Sequence, residues 1–365
     1  MSSVQENQYE PTSVSHPGET LKATIRAICM TQSELSKRMG RPLKTINEII
    51  RGKTAITSDT ALQLETVLGI PAGFWLERQH QYDESISRSR EMDRLPDFAT
   101  WTKRFPLREM NRLFEFPLRE NTSEQIRELL AFFGVVTPKQ WYQYWNALAV
   151  SYRQSKVYSA QKEAVSVWLR IGEIKAQNVR CANYSQTNFR EALKEIRGLT
   201  REEPSIFEER MRKLCAESGV AHVLVPELPR IALSGATRWI TPKKALIQQN
   251  LRYKTNDQFW FTFFHEAAHI LLHSNEGLIL DFEGNKDTSE NEADGFAADF
   301  LIGQRDYKKF ISEVSPTRKT VAAFAKSIGI AEGIIVGRLQ HDKIIGFNQL
   351  NDLKSKFTWS HQNEE

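Results

Sequence analysis

Cysteine is scarce in this chain: three in 365 residues, Cys29, Cys181 and Cys215, odd in number and far apart. That argues against a disulfide framework and fits a reducing cytoplasm. No apolar run approaches the roughly 20 residues of a membrane span, so no membrane partner is expected. The polar start, "MSSVQENQYEPTSVS", lacks the charged-then-apolar pattern of an export signal and reads as a disordered lead over residues 1–15. Low-complexity tracts and long regular repeats are missing. Histidine is also sparse, yet three of the eight fall within residues 265–273.

What is present is enough for real cores. The chain is 40% hydrophobic and 26% charged, and its length suggests two or three domains. The net charge of +4 hides an asymmetry. From Lys22 to Lys53, eight bases stand against two acids, giving +6. From His265 to Asp299, nine acids stand against one base, giving −8. A basic patch suits a polyanion, and an acidic cluster suits a metal or a solvated surface.

Residues 20–82 read as short helices joined by tight turns. "TQSELSKRM" opens with capping-box spacing, Thr31 to Glu34, which predicts helix onset near residue 32. Gly40 suits a left-handed turn, and Pro42 fits the first turn of the next helix. There Leu43, Ile46, Ile49 and Ile50 form an apolar stripe, with Lys44, Thr45, Asn47 and Glu48 on other faces. Two short helices about a glycine turn, the second basic and polar outside, have helix-turn-helix geometry. The plain alternative is a structural bundle with a solvated basic face.

The run from "HPGE" to "GFWLERQHQYD", residues 16–83, resembles the Xre-type domain of HigA-like antitoxins. The resemblance implies that the second helix of the motif enters the major groove and that homodimers read paired half-sites on double-stranded operator DNA. It implies Gln32 at a phosphate and Lys44, Thr45 and Asn47 at base edges. Lys37, Arg38, Arg51 and Lys53 join them as backbone contacts on charge grounds. One departure is Pro42, preceded by Arg41, where many such domains carry a small polar cap.

From Arg88 to about Thr200 the periodicity is helical and no catalytic spacing appears. Trp101, Phe132, Phe133, Trp141, Tyr142, Tyr144, Trp145 and Trp168 make this stretch dense in aromatics. Interleaved with bases they could stack nucleotides; the plainer account is helix-packing core.

Beyond Glu203 the texture changes. "GVAHVLVP" and "KALIQQNL" have the look of strands. "TNDQFWFTFFHEAAHILLH" then reads as a buried helix, with Thr255 and Gln258 in capping-box spacing. On it His265 and His269 lie about 40° apart, one turn from each other. Two imidazoles so placed can hold one Zn²⁺, with Glu266 beside them as a base. Two hydrogen-bonded core histidines are the alternative, and a third ligand separates the two.

The following helix offers Glu290 and Glu292. Its stripe is Ala293, Phe296, Ala297, Phe300 and Leu301, and Glu290 lies about 60° from the stripe's centre against about 100° for Glu292. Glu292 also completes a capping box with Ser289, so Glu290 is the better ligand. Asp294, one turn further, is placed to accept a hydrogen bond from a zinc-bound histidine. His273 reads as a solvated or capping residue at the helix end. His222, Arg238 and His341 are candidates for an oxyanion donor that no local pattern identifies.

"HEAAHILLH" and "ENEADGFAADFLI" resemble the ImmA/IrrE family of metallopeptidases, over about residues 205–345. The resemblance implies a reduced thermolysin-like zincin, with His265, His269 and Glu290 as ligands and Glu266 as base. Gly303 stands where the family's later helix usually meets a proline. The apolar "TVAAFAKSIGIAEGIIVGRLQHDKII" is expected to cap the peptidase core.

The expected architecture is mainly α with a small α+β part. Residues 16–90 form a helix-turn-helix bundle, 91–203 a helical spacer, 204–312 a minimal zincin, and 313–365 a helical cap and tail. The expected function is a cytoplasmic DNA-binding regulator or antitoxin carrying a zinc peptidase, with a regulatory protein or toxin-like partner as substrate. A non-enzymatic repressor with a structural zinc site is the alternative.

Overall fold

The computed structural model describes residues 14–151, 162–229, 231, 233–273 and 286–359. Almost all of the expected disordered lead lies outside the described residues. The chain divides into two compact units after Ala99. Among the described residues no single helix is long and apolar enough to cross a membrane.

In the first unit the helices are α1 (Pro17–Ala27), α2 (Gln32–Met39), α3 (Leu43–Ile50), α4 (Ser58–Leu68) and α5 (Ala72–Arg94). Helix α2 starts where the capping signal put it, and the Thr31 hydroxyl accepts from the Glu34 amide at 3.1 Å. Glu34 does not complete the box; its carboxylate pairs with Arg38 instead. Gly40, at φ +64°, ends α2 in the left-handed conformation that a Cβ disfavours. Ser36 then donates to the Arg41 carbonyl at 2.6 Å and closes the turn into α3. Leu21, Leu35, Ile46, Ile49, Leu64 and Trp75 fill the core.

The stripe on α3 is narrower than its sequence suggests. Ile46 and Ile49 are buried and Ile50 is half-buried, but Leu43 is 43% exposed. Leu43 lies about 90° around the helix from the midpoint of Ile46 and Ile49, too far to reach the core.

In the second unit a short turn, α6 (Ala99–Thr102), leads into α7 (Leu107–Phe114), α8 (Thr122–Phe133), α9 (Pro138–Ser151), α10 (Lys162–Asn178), α11 (Gln186–Gly198) and α12 (Pro204–Glu217). Strands β1 (Val220–Leu224), β2 (Gly235–Thr241) and β3 (Lys244–Gln249) follow, then α13 (Asn256–Leu272), α14 (Lys286–Leu301), α15 (Gln304–Glu313), α16 (Arg318–Ile328) and α17 (Glu332–His341). The sheet has the order β1-β3-β2, with β1 parallel and β2 antiparallel to β3. Only β1 and β3 were legible as strands. The middle strand in sequence, "GATRWIT", was not, although its threonines and aromatic residue are strand-forming.

Alternation along β3 sorts the two faces. Gln248 donates to the Trp168 carbonyl of α10 at 2.7 Å, and Gln249 donates to the Phe259 carbonyl of α13 at 3.1 Å. The sheet therefore lies between α10 and α13. Phe189, Leu193 and Ile196 of α11 share one apolar core with α13, α14, α16 and α17. The texture change near Glu203 thus falls inside a packed unit. Trp101, Phe133, Trp141, Trp145 and Trp168 are buried, as core residues should be, while Tyr142 and Tyr144 are exposed. The C-terminal apolar pair, α16 and α17, contributes Val321, Ala325, Ile334, Ile335 and Leu339 to this core.

Arg197 ties the core's helix ends together. Its guanidinium donates to the carbonyls of Phe300, Leu301 and Ile328 at 2.8–3.0 Å, satisfying the last turns of α14 and α16. Arg197→Met keeps the stem but strands these carbonyls, and should lower unfolding free energy by about 2–3 kcal/mol in urea titration. A loss below about 0.5 kcal/mol would show that solvent replaces the clamp.

Candidate metal centre and nucleic-acid interface

Helix α13 begins at Asn256, one residue after its N-cap Thr255. The Thr255–Gln258 capping box does not form: the Thr255 side chain makes no cap bond, and its backbone bridges to Lys356. The helix is apolar nearly all round because it is enclosed, with Trp260, Phe263, Phe264 and Ala267 buried. Helix α14 packs along it. Ala293, Ala297 and Leu301 are buried in that contact, and Phe300 stacks on Phe264 at 5.1 Å between ring centres.

Two small residues one turn apart let α14 come close, and that brings its carboxylates over the histidines. The His265 and His269 Nε2 atoms are 3.1 Å apart. Glu290 Oε2 lies 3.3 Å from the first and Oε1 3.7 Å from the second. One donor atom from each of the three falls within 4.8 Å of the others. A tetrahedral ion with ligands at about 2.0–2.2 Å sets neighbouring donors about 3.3 Å apart. The three separations match that spacing, so this donor set fits zinc.

Burial alone would lower the His265 pKa, but hydrogen bonds to Asp294 and Glu290, with the Glu266 charge, push it up to about 10. The same His265 hydrogen bond holds Glu290 below the usual carboxylate range. His269, buried and beside His265, is pushed down. The two imidazoles are thus shifted in opposite directions.

Asp294 Oδ1 accepts from His265 Nδ1 at 2.8 Å, in the position expected of it. Glu292 and His273 behave otherwise than expected. Helix α14 starts at Lys286, so Ser289 lies in its first turn and not at its N-cap. Glu292 Oε2 instead meets His273 Nε2 at 3.1 Å, and His273 Nδ1 meets His269 Nδ1 at 3.1 Å. His273 does cap α13, but its side chain is 14% exposed and engaged at both nitrogens rather than solvated. The repeated four-residue spacing of His265, His269 and His273 was the available signal.

Glu266 is buried, and burial raises its carboxyl pKa to about 7. Strand β2 holds it. Thr237 Oγ1 donates to the Glu266 carbonyl at 3.1 Å, and a Cβ on Gly235 would sit 2.6 Å from Glu266 Oε1. The proposed oxyanion donors are engaged elsewhere. His222 Nε2 bonds Gln249 at 2.8 Å, and burial pushes its pKa down to about 4. Arg238 pairs with Glu173 toward α10, on the other face of the sheet, and His341 is an exposed neighbour of Asp342.

On α3, Lys44 and Asn47 share the outward face with Arg51, which caps the helix. Thr45 is half-buried and lies about 110° from the middle of that face. Gln32 is the first residue of α2, beside its amide-rich end. Lys37, Arg38, Arg51 and Lys53 are exposed, Arg38 in an ion pair with Glu34.

Gly235 tests the packing over Glu266. Gly235→Ala should cost about 1–3 kcal/mol of stability by thermal unfolding, because the methyl meets Glu266 and Thr262 below contact distance. No change in unfolding temperature would mean the strand simply shifts.

Comparison with known proteins finds one match within each unit. Residues 30–75 match the helix-turn-helix family, and residues 237–339 match the IrrE N-terminal-like domain family of peptidases. Virulence-associated protein I of Dichelobacter nodosus is 38% identical over 69 residues, which is 19% of this chain. The match spans 64% of that relative's length. Among solved structures, an addiction module antidote protein of the HigA family from Coxiella burnetii is 29% identical, with a TM-score of 0.22. It covers 24% of this chain and 95% of its own. A putative antidote protein of a plasmid maintenance system from Nostoc punctiforme is 28% identical, covering 21% of this chain and 84% of its own, with a TM-score of 0.20. The chain thus carries a helix-turn-helix domain near its N-terminal end and an IrrE N-terminal-like peptidase-family domain in its C-terminal half.

Proposed function

We propose that this protein is a DNA-binding regulator of antitoxin type whose second unit is a zinc-dependent endopeptidase. The observation that carries the peptidase reading is the convergence of His265, His269 and Glu290 beside a buried Glu266. His265, His269 and Glu290 would hold the zinc, which would supply Lewis-acid chemistry to a carbonyl and to water. Glu266, with its carboxyl raised to about 7, is poised near neutral pH to take a proton from water and return it to the leaving amine. Its pKa comes from burial, so opening the site to solvent would make it a weaker base.

A peptide substrate suits the strand next to this base. Strand β2 is at the edge of the sheet, and Gly235 and Thr237 on it touch Glu266. An extended chain that adds to such an edge is held by its main chain, which brings a peptide bond past the base whatever the side chains. The substrate class is therefore a protein segment able to lie extended, in a regulatory or toxin-like partner. The first unit supports an operator-DNA partner through the exposed basic face of α3 and the lysines and arginines around it, with two copies reading paired half-sites.

Zinc content is the first test. Wild type should bind one Zn²⁺ per chain, and Glu290→Gln should weaken it by more than the roughly 10–100-fold typical of outer hydrogen-bond partners. Glu292→Gln should do less, and equal affinities for the two variants would remove Glu290 from the ligand set. Turnover of a peptide library should disappear in Glu266→Gln while zinc stays bound; no cleavage by wild type under any condition would leave only the binding function.

DNA binding is tested by salt. Lys37→Ala or Lys53→Ala should weaken all sequences alike and flatten the salt dependence by about one unit of slope. Lys44→Ala or Asn47→Ala should blur preference at single bases by about 1–3 kcal/mol. A gel-shift series without salt-sensitive binding to the protein's own promoter would sink the regulator reading.

A further inference from the structure

His273 and Glu292 have no place in the chemistry described so far, yet both His273 nitrogens are engaged at the metal centre. The geometry around them leaves little freedom. His265 and His269 turn Nε2 toward each other and toward Glu290. To offer its Nε2 lone pair to a cation, a neutral imidazole must carry its proton on Nδ1. Each Nδ1–H then needs an acceptor. For His265 it is a carboxylate, Asp294, at 2.8 Å. For His269 the only group at Nδ1 among the described residues is another imidazole nitrogen, His273 Nδ1, at 3.1 Å.

Two ring nitrogens at that distance share one proton. If His269 Nδ1 donates, His273 Nδ1 must accept, so His273 carries its proton on Nε2. That nitrogen faces Glu292 Oε2 at 3.1 Å, an acceptor without a donor. Every link then has one donor and one acceptor, and reversing the His269–His273 link would set two acceptors, His273 Nε2 and the Glu292 carboxylate, face to face. We propose that Glu292 and His273 are positioning residues that fix the tautomer and orientation of His269, so that its Nε2 faces the cation. The proposal rests on the zinc reading above.

The arrangement has an internal symmetry that supports it. Each metal-facing imidazole ends on a carboxylate of α14, one directly through Asp294 and one through His273 at Glu292. Glu290, Glu292 and Asp294 all lie within the first nine residues of that helix. His273 caps α13 one turn beyond His269, which is why its ring can reach back to the same nitrogen. The link needs a side chain that accepts on one side and donates on the other, which an imidazole does and a carboxylate cannot.

The test measures zinc, tautomer and fold separately, on the full chain. Zinc affinity by competition with a chromophoric chelator should fall about 10–100-fold in His273→Leu, which removes the acceptor. Glu292→Lys should fall as far, because its ammonium donates to His273 Nε2 and turns the link around. Glu292 is 57% exposed, so this variant keeps the test valid even if His273→Leu does not fold. His273→Asn, whose amide oxygen can accept from His269 and whose NH₂ can donate to Glu292, should stay within about threefold of wild type. Long-range ¹H–¹⁵N spectra of the zinc-loaded protein should show His269 protonated at Nδ1 and His273 at Nε2. The metal-free unfolding temperature of Glu292→Lys should match wild type. Wild-type affinity in both His273→Leu and Glu292→Lys, or a His273 proton found on Nδ1, would overturn the proposal while leaving zinc binding intact. Wild type that fails to bind zinc would overturn both readings, and the two failures are told apart by that measurement alone.

Discussion

The second unit depends on one contact, the close packing of α14 along α13. Ala293 and Ala297 make it close, and Phe264 stacked with Phe300 sets its register. With larger residues at the alanine positions the helices would stand further apart, and Glu290 would not reach the two Nε2 atoms. Arg197 holds the far end of α14 by its last carbonyls. The carboxylates at the near end are therefore placed by apolar packing and by a clamp about two turns past Asp294.

A second constraint concerns the acid beside the histidines. Glu266 sits next to His265 in sequence, so any helix that aims the histidines at α14 turns Glu266 toward the sheet. Strand β2 meets it there with Gly235, the residue type that leaves room for a carboxylate. Burial then raises its pKa toward neutral. The same enclosure that makes α13 apolar on nearly every face also makes Glu266 a stronger base. Structural and chemical demands on this helix coincide.

The first unit is built from local signals. Thr31 and Gly40 mark helix ends in the sequence and act as caps in the structure. The outward face of α3 follows from its short length and two buried isoleucines. Leu43 and Thr45 were harder to place from the sequence, because three or four residues of stripe define a helix face only to within tens of degrees. Leu43 falls outside the core and Thr45 at its margin.

Sequence spacing alone determined the elements whose logic is local: the capped helices of the first unit, the strands β1 and β3, and the imidazole pair one turn apart on α13. Its preference for Glu290 over Glu292 rested on a helical wheel, which needs only the helix period, and on the capping-box spacing of Ser289 and Glu292. Contacts between distant segments had no such signal. That β2 would lie beside Glu266, that Arg197 would close two helices, and that α10 and α11 would join the sheet's core required the tertiary fold. The start of α14 is the clearest case. Ser289 and Glu292 have the spacing of a cap, and nothing local distinguishes a cap from the second turn of a helix already begun. With α14 starting at Lys286, the side chain that seemed to close the helix is free to reach His273. Local rules specify what a residue can bond. Only packing decides which partner is within reach, because the partner lies on another element whose position is set by the shared core.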